Sequence, residues 1–532
     1  MAQDQAFAAF LEGHLKTTVP LEKELNLVSW EAARTGSPEA EAKTEELDVR
    51  FQSVFASRED FALLKSMAAG PWNDPLLQRQ HKLLLDAYTG LQIEPDLIGR
   101  IAAVETRLRA LFNTHRGTVG GQPIPDGEIK RILHESNDTT LRKEAWEASK
   151  SIGPMAKDSI LEAVALRNDA ARSLGYSDYY TMRISLDDLD VDRVYAVLDE
   201  LEAASDGPWE RAKGALDAGL AQRFGLAFSE LRPWHYQDPF FQEAPPSEAD
   251  LDAFYPGKDM EAIARRFFAD MGLPVEGILS RSDLYEAKGK NQHAFCTDID
   301  RSGDVRTLCN LRPNASSIGT LCHELGHAVY DENFNFALPW ELRRAAHGLV
   351  TEAVAIFMEF FPRKGQWLSH YVGANPTDAD HAERLSARQQ AVADLVITRW
   401  FLVMCHFERA LYANPIQDLD TLWWDLVERF QRVNRPDDRH APDWAAKIHI
   451  ALYPVYYHLY PLGGCVASML RNVMRQRFPA AANGLGDPAL GAYLRESVFA
   501  HGAALPWETL LEQTAGEPLT TRHWAREWDE AV

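Results

Sequence analysis

The stretch TLCHELGHAVY, residues 320–330, sets His323 and His327 four positions apart with Glu324 between them. On a helix, positions four apart share a face one turn apart, so two imidazole nitrogens can reach one metal ion. At 3.6 residues per turn, Glu324 is rotated about 100° from His323. Its carboxylate then stands beside the metal, where it can take a proton from a metal-bound water. Two imidazoles and a carboxylate in a core helix without a metal would be three polar groups costly to bury. The surrounding SSIGTLCHELGHAVYDE opens on Ser/Thr capping residues and continues in helix formers, while Cys322 reads as a packing residue.

Three ligands in a line on one helix cannot wrap a tetrahedral ion, which excludes Asp331. An extended motif with Gly at 330 and His at 333 also fails, because the chain has Tyr330 and Asn333. After the loop NFNFALP, a second helix is expected through WELRRAAHGLVTEAVAIFMEFF, ending before Pro362. It offers Glu341, His347, Glu352 and Glu359. Glu352 sits among apolar residues, where an unpaired carboxylate is expensive, so a metal partner explains it best. Glu359, seven residues on, suits the orientation of a ligating histidine. His347 is the alternative ligand; otherwise it and Glu341 read as helix surface. Two His, one Glu and an open position describe a catalytic zinc, one per chain.

The 532 residues are 46% apolar and 10% aromatic, enough for a sizeable core. A formal charge of -23 argues against a nucleic-acid backbone or an anionic membrane as partner. The first residues, MAQDQAFAAFLEGHLKTT, lack the basic cluster and apolar core of a signal peptide, and no stretch approaches 18 uninterrupted apolar residues. Five sparse cysteines fit a reduced, cytoplasmic protein.

Helical periodicity recurs in DPLLQRQHKLLLDAYTGL, VYAVLDELEAA, AIARRFFADMGL and DTLWWDLVERFQRV, with short turns at GGQPIPDGE (120–128) and at 242–259. The expectation is one all-α body over 1–532, with 1–215 mainly an N-terminal helical lobe and 216–532 the catalytic part. Residues 293–311, HAFCTDIDRSGDVRTLCNL, depart from this and read as a β-hairpin. A two-residue Ser302-Gly303 loop would place Cys296 opposite Cys309, as free thiols rather than a disulfide. The hairpin ends a dozen residues before His323, so an edge strand should lie beside the metal site.

The motif pair, followed by 24 residues and Glu352, resembles the thimet oligopeptidase and oligoendopeptidase F family. TEAVAIFME and LRNDAARSLGYSDYYTM (166–182) are similar to segments of that family. The angiotensin-converting enzyme family is a related helical group with one residue fewer in the gap. The resemblance implies a large two-lobed helical zincin with a deep central cleft, zinc helices over 318–361 and a small sheet beside them. It implies that His293-Ala294 on the strand, with Asp298 five residues on, bind substrate backbone. It also gives meaning to KIHIALYPVYYHLYPLGG (447–464), which by chemistry alone is a phenol-rich helix with an aromatic core stripe. There His449 and a tyrosine are implied to face the oxyanion. Tyr456 and Tyr460 are first choice, with Tyr457 and Tyr453 as alternatives. Lys447 matches a lysine that holds a substrate C-terminal carboxylate; a solvated helix lysine is the other reading. Ile356 stands where the converting enzyme has an Asp, and its chloride arginine has no counterpart in PVYYHLY.

The implied activity is hydrolysis of short oligopeptides by a zinc-activated water with Glu324 as general base, as an oligoendopeptidase or peptidyl-dipeptidase. A metallocarboxypeptidase is the alternative, and a non-catalytic zinc-stabilised peptide-binding protein a remote one. Expected partners are short peptides alone, in a monomer or dimer.

Overall fold

A computed structural model describes residues 2–245 and 249–532. It is 70% helical, and among the described residues its sheets are two antiparallel two-stranded ribbons, so the all-α expectation holds. The periodic segments form helices Pro75–Gly90, Val191–Phe224 and Met260–Asp270, while DTLWWDLVERFQRV is a helix, Leu419–Leu426, running into a π turn, Val427–Gln431. Local chemistry sets their starts: the Asp74 carboxylate accepts from the Leu76 and Leu77 N–H groups at 2.8 and 3.3 Å. The expected turn at 120–128 contains more than a turn. Strands Gly117–Val119 and Gln122–Ile124 pair across Gly120 and Gly121, both at positive φ, and a helix follows from Asp126. Of the turn at 242–259, residues 246–248 lie outside the described residues.

The chain's contacts group it into two compact units, each assembled from three segments. One comprises Met1–Gln92, Glu248–Ala387 and Leu462–Trp524; the other comprises Ile93–Ser247, Arg388–Pro461 and Ala525–Val532. In the first, helix Ala2–Thr35 buries Phe7 and Leu11 with Leu64, Met67, Leu84 and Tyr88. Each such side chain contributes about 1.5–3 kcal/mol of burial. Farther along the same helix, Trp30 packs on Ile299 and Leu308 and so holds the hairpin. Helix Pro376–Ala413 is long and apolar enough to cross a membrane, but 67% of its apolar window is buried in the protein, the character of a core helix.

The hairpin is present with a different register. Phe295–Asp298 pairs antiparallel with Val305–Leu308, and Cys296 faces Thr307 rather than Cys309. The loop is longer than two residues because aspartates cap it. Asp298 Oδ1 accepts from the Asp300 and Arg301 N–H groups, and Asp300 Oδ1 accepts from Ser302 and Asp304. Arg301 at φ 51° and Gly303 at φ 102° close the turn. Cys296 and Cys309 are free thiols, as are the other three cysteines.

Candidate metal centre

The motif helix runs Ala315–Glu332, and its N-cap is Asn314 rather than a hydroxyl residue, with Asn314 Oδ1 accepting from Ser317 N–H at 2.8 Å. Ile318, Leu321, Cys322, Leu325, Ala328 and Val329 fill its inward face. The second helix is shorter than expected, Gly348–Glu359. Ahead of it, Trp340–Leu342 forms a single 3₁₀ turn, and the Leu342 carbonyl accepts from Ala503 N–H at 2.9 Å instead of continuing a helix. His347 is the N-cap, its Nδ1 accepting from Leu349 N–H at 3.0 Å. It is therefore neither a metal ligand nor helix surface. Glu341 is buried as well.

The two helices touch backbone to backbone. A Cβ on Gly326 would lie 2.8 Å from Ala355 Cα, so only glycine allows this approach. The crossing brings His323, His327 and Glu352 together, with one ligand atom of each within 4.8 Å of the others. The Glu352 oxygens lie 3.7 Å from His323 Nε2 and 3.7 Å from His327 Nε2. Donors around a tetrahedral zinc, with bonds of about 2.0–2.1 Å, stand about 3.4 Å apart. The donor set and its spacing thus fit one zinc ion, held by these three residues.

Outer partners fix both rings. Glu359 Oε2 lies 3.3 Å from His323 Nδ1, the orienting role expected from the sequence, and Arg363 Nη2 donates to its other oxygen at 2.6 Å. His327 Nδ1 meets Thr351 Oγ1 at 2.8 Å. With both Nδ1 atoms engaged, both Nε2 atoms are left for metal. Thr351 was not legible as a site residue. Its one signal is adjacency to Glu352, which rotates it about 100° from that ligand on the helix.

Glu324 is 7% exposed and shares the wall of a cavity of about 510 Å³ with His323, Gly319, Thr320 and Glu359. Burial pushes its carboxyl up to about 7 against the pull of His323, with Glu352 and Glu359 adding to the rise. The Cys296 backbone N–H donates to it, so the outer strand of the hairpin touches the expected base. His293 and Ala294 lie just ahead of that strand, in a bend, with His293 exposed. Asp298 ends that strand with its side chain turned to the hairpin loop, and burial raises its carboxyl to about 6.

The segment expected as one helix over 447–464 is broken. A short helix, Ile448–Leu452, ends at Tyr453, Val455 takes φ 57°, and helix resumes at Leu459. A β-branched residue in the left-handed region is strained. A buried carboxyl group holds it there: Glu408 Oε1 accepts from Val455 N–H at 2.7 Å. His449 packs 5.1 Å from the Tyr457 ring and 5.7 Å from Tyr453. Burial, with Lys447 nearby, lowers its imidazole to about 4. Tyr457 is buried, Tyr456 is 46% and Tyr453 50% exposed, and the Tyr456 and Tyr460 rings meet at 5.3 Å. Lys447 is not a solvated lysine. It is buried, donates to Gln242 Oε1 at 2.7 Å, and lies over the Phe240 and Trp400 rings. Burial lowers its ammonium to about 8.

Comparison with known proteins agrees with this chemistry. Residues 279–530 match the model of peptidase family M3, and residues 1–202 match that of angiotensin-converting enzyme. Each model covers less than half of this chain, and both likenesses are to peptidases. Carboxypeptidase 1 of Bacillus subtilis (strain 168) is 23% identical over 304 residues, which cover 52% of this chain and 58% of that protein.

Proposed function

We propose that the chain is a zinc peptidase of short oligopeptides, working as an oligoendopeptidase or peptidyl-dipeptidase. The carrying observation is the His323–His327–Glu352 triangle with Glu324 on the adjoining cavity wall. Zinc bound there supplies Lewis acidity to a water and to the scissile carbonyl. Glu324 takes the proton of the attacking water and delivers it to the leaving amine. His449, neutral at pH 7, and Tyr456 or Tyr460 donate to the oxyanion. A donor of this kind lowers the barrier by about 3–4 kcal/mol. Strand Phe295–Asp298, with His293-Ala294 before it, aligns the peptide through backbone bonds that tolerate many sequences. Lys447 and Gln242, an ammonium beside an amide, suit a substrate C-terminal carboxylate. Five free thiols fit a cytoplasmic setting, and short peptides are the proposed partners of a monomer or dimer.

Glu324→Gln should keep zinc and lose peptide hydrolysis by several orders of magnitude; retained turnover would sink the assignment. The name of the Bacillus relative favours a second reading, a carboxypeptidase. Mass spectrometry of one nonapeptide digest separates the modes: single residues mark the carboxypeptidase, dipeptides the dipeptidase, internal fragments the endopeptidase. A chelator that unfolds the protein, rather than only silencing it, would instead mark a structural zinc.

A further inference from the structure

Pro454 has no N–H to give a helix, and the short helix Ile448–Leu452 ends ahead of it. On an unbroken helix Tyr457 would stand about 12 Å along the axis from His449. The turn at Val455 instead folds the chain back, and the Tyr457 ring packs 5.1 Å from the His449 ring. Tyr460 then meets Tyr457 at 5.8 Å and Tyr456 at 5.3 Å. The left-handed conformation of one residue therefore sets where the tyrosines stand relative to the histidine.

Helix Pro376–Ala413 carries what holds that conformation. Phe401, Glu408 and Tyr412 are seven and four residues apart, which puts them on one stripe of the helix. All three are buried. Each meets a successive part of the facing segment, in reverse order. Phe401 stacks on Tyr460 at 5.4 Å with the rings 7° from parallel, and Glu408 Oε1 takes the Val455 N–H at 2.7 Å. The Tyr412 hydroxyl accepts from Arg167 Nη1 at 3.1 Å, and Arg167 Nη2 donates to the Ala451 carbonyl at 3.1 Å. The ladder 401–408–412 against 460–455–451 lies within one compact unit. Glu408 is 2% and Arg167 1% exposed, so water does not compete for these bonds. They act on the buried side of a segment whose other side exposes Tyr453 and Tyr456.

We infer that Glu408, flanked by Phe401 and Arg167, is a positioning residue of the hydrolytic reaction: it holds Val455 in the conformation that sets the tyrosines beside His449. The inference rests on the reading of His449 and Tyr456 or Tyr460 as oxyanion donors. The test compares Glu408→Met with Glu408→Gln in the zinc-loaded full chain. The two side chains are close in size, and only Gln keeps an oxygen to accept from the Val455 N–H. Glu408→Met should speed hydrogen exchange of the Val455 amide. It should also lower kcat on one oligopeptide about 10–100-fold, the scale of a small misplacement of reacting groups, with KM and zinc content unchanged. Glu408→Gln should keep both the slow exchange and the wild-type kcat. A melting temperature lowered in Glu408→Met with kcat untouched would mark a structural role only and overturn the inference. Equal kcat losses in the Met and Gln variants would overturn it too. Should Glu408→Met fail to fold, Phe401→Leu reads the same ladder from its Tyr460 end: kcat should fall about ten-fold at unchanged KM, and an unchanged kcat overturns the inference. A zinc-loaded wild type that hydrolyses no peptide sinks the peptidase reading, and this role with it. Wild-type turnover with a kcat indifferent to Glu408→Met sinks this role alone.

Discussion

The two regions that carry the proposed chemistry are built in opposite ways. In the helix pair Ala315–Glu332 and Gly348–Glu359, every candidate metal ligand projects from regular helix, and the neighbours that steady the two rings, Thr351 and Glu359, lie on the facing helix. In 447–460 the donors hang from a chain that breaks at Tyr453 and is strained at Val455. That segment is held from far away in sequence. Glu408 takes the Val455 N–H, and Arg167 donates to the Ala451 carbonyl at 3.1 Å while binding Glu105 at 2.8 Å and the Tyr412 hydroxyl at 3.1 Å. A metal site can be specified by periodicity; an irregular loop has to be specified by buried polar side chains that fit it. The first writes a motif into the sequence, and the second does not.

The comparison breaks most visibly at Glu352. Glu352→Ala should abolish zinc retention, read by metal analysis of the purified protein, and take activity to background with helicity unchanged by circular dichroism. Next come the donors. His449→Ala or Tyr456→Phe should each keep full zinc occupancy and lower kcat by about 10²–10³, the usual effect of removing one oxyanion donor. If Tyr460→Phe carries that loss and Tyr456→Phe does not, the oxyanion donor is the less exposed of the pair. Thr351→Val tests how the rings are steadied: competition with a chelator should show zinc affinity about 10–100-fold weaker, as for other such partners.

The last expectation concerns stability rather than activity. Burial raises the Glu408 carboxyl to about 8, against the pull of the Val455 N–H and Arg167, while an unfolded glutamate titrates near about 4.3. The folded form therefore holds a proton that the unfolded chain releases. Stability from this group is full below pH ~4.3 and falls as pH rises toward 8, by up to about 1.4 kcal/mol per pH unit. Urea midpoints across pH 5–8 should decline in the wild type and flatten in Glu408→Gln. Parallel slopes would remove Glu408 as the origin.

The same contrast explains what could be read in advance. The all-helical class, both histidines, Glu352 and Glu359 follow from spacing on regular helices, and the structure assembles them. The second helix begins eight residues later than its pattern suggests, because Leu342 pairs with Ala503, a partner no local pattern announces. The hairpin register moved because Asp298 and Asp300 cap a longer loop than Ser302-Gly303 implied. Thr351 and the break at Val455 were invisible, since each owes its place to a contact made only once the chain is folded.

Gly326 gives the metal site one further property. Because the two helices rest on each other's backbones there, the span between the three donors is set by a missing methyl group rather than by the donors themselves. The site works as a calliper whose jaws are main chain. An alanine at 326 would press the two main chains apart, because its Cβ would lie 2.8 Å from Ala355 Cα.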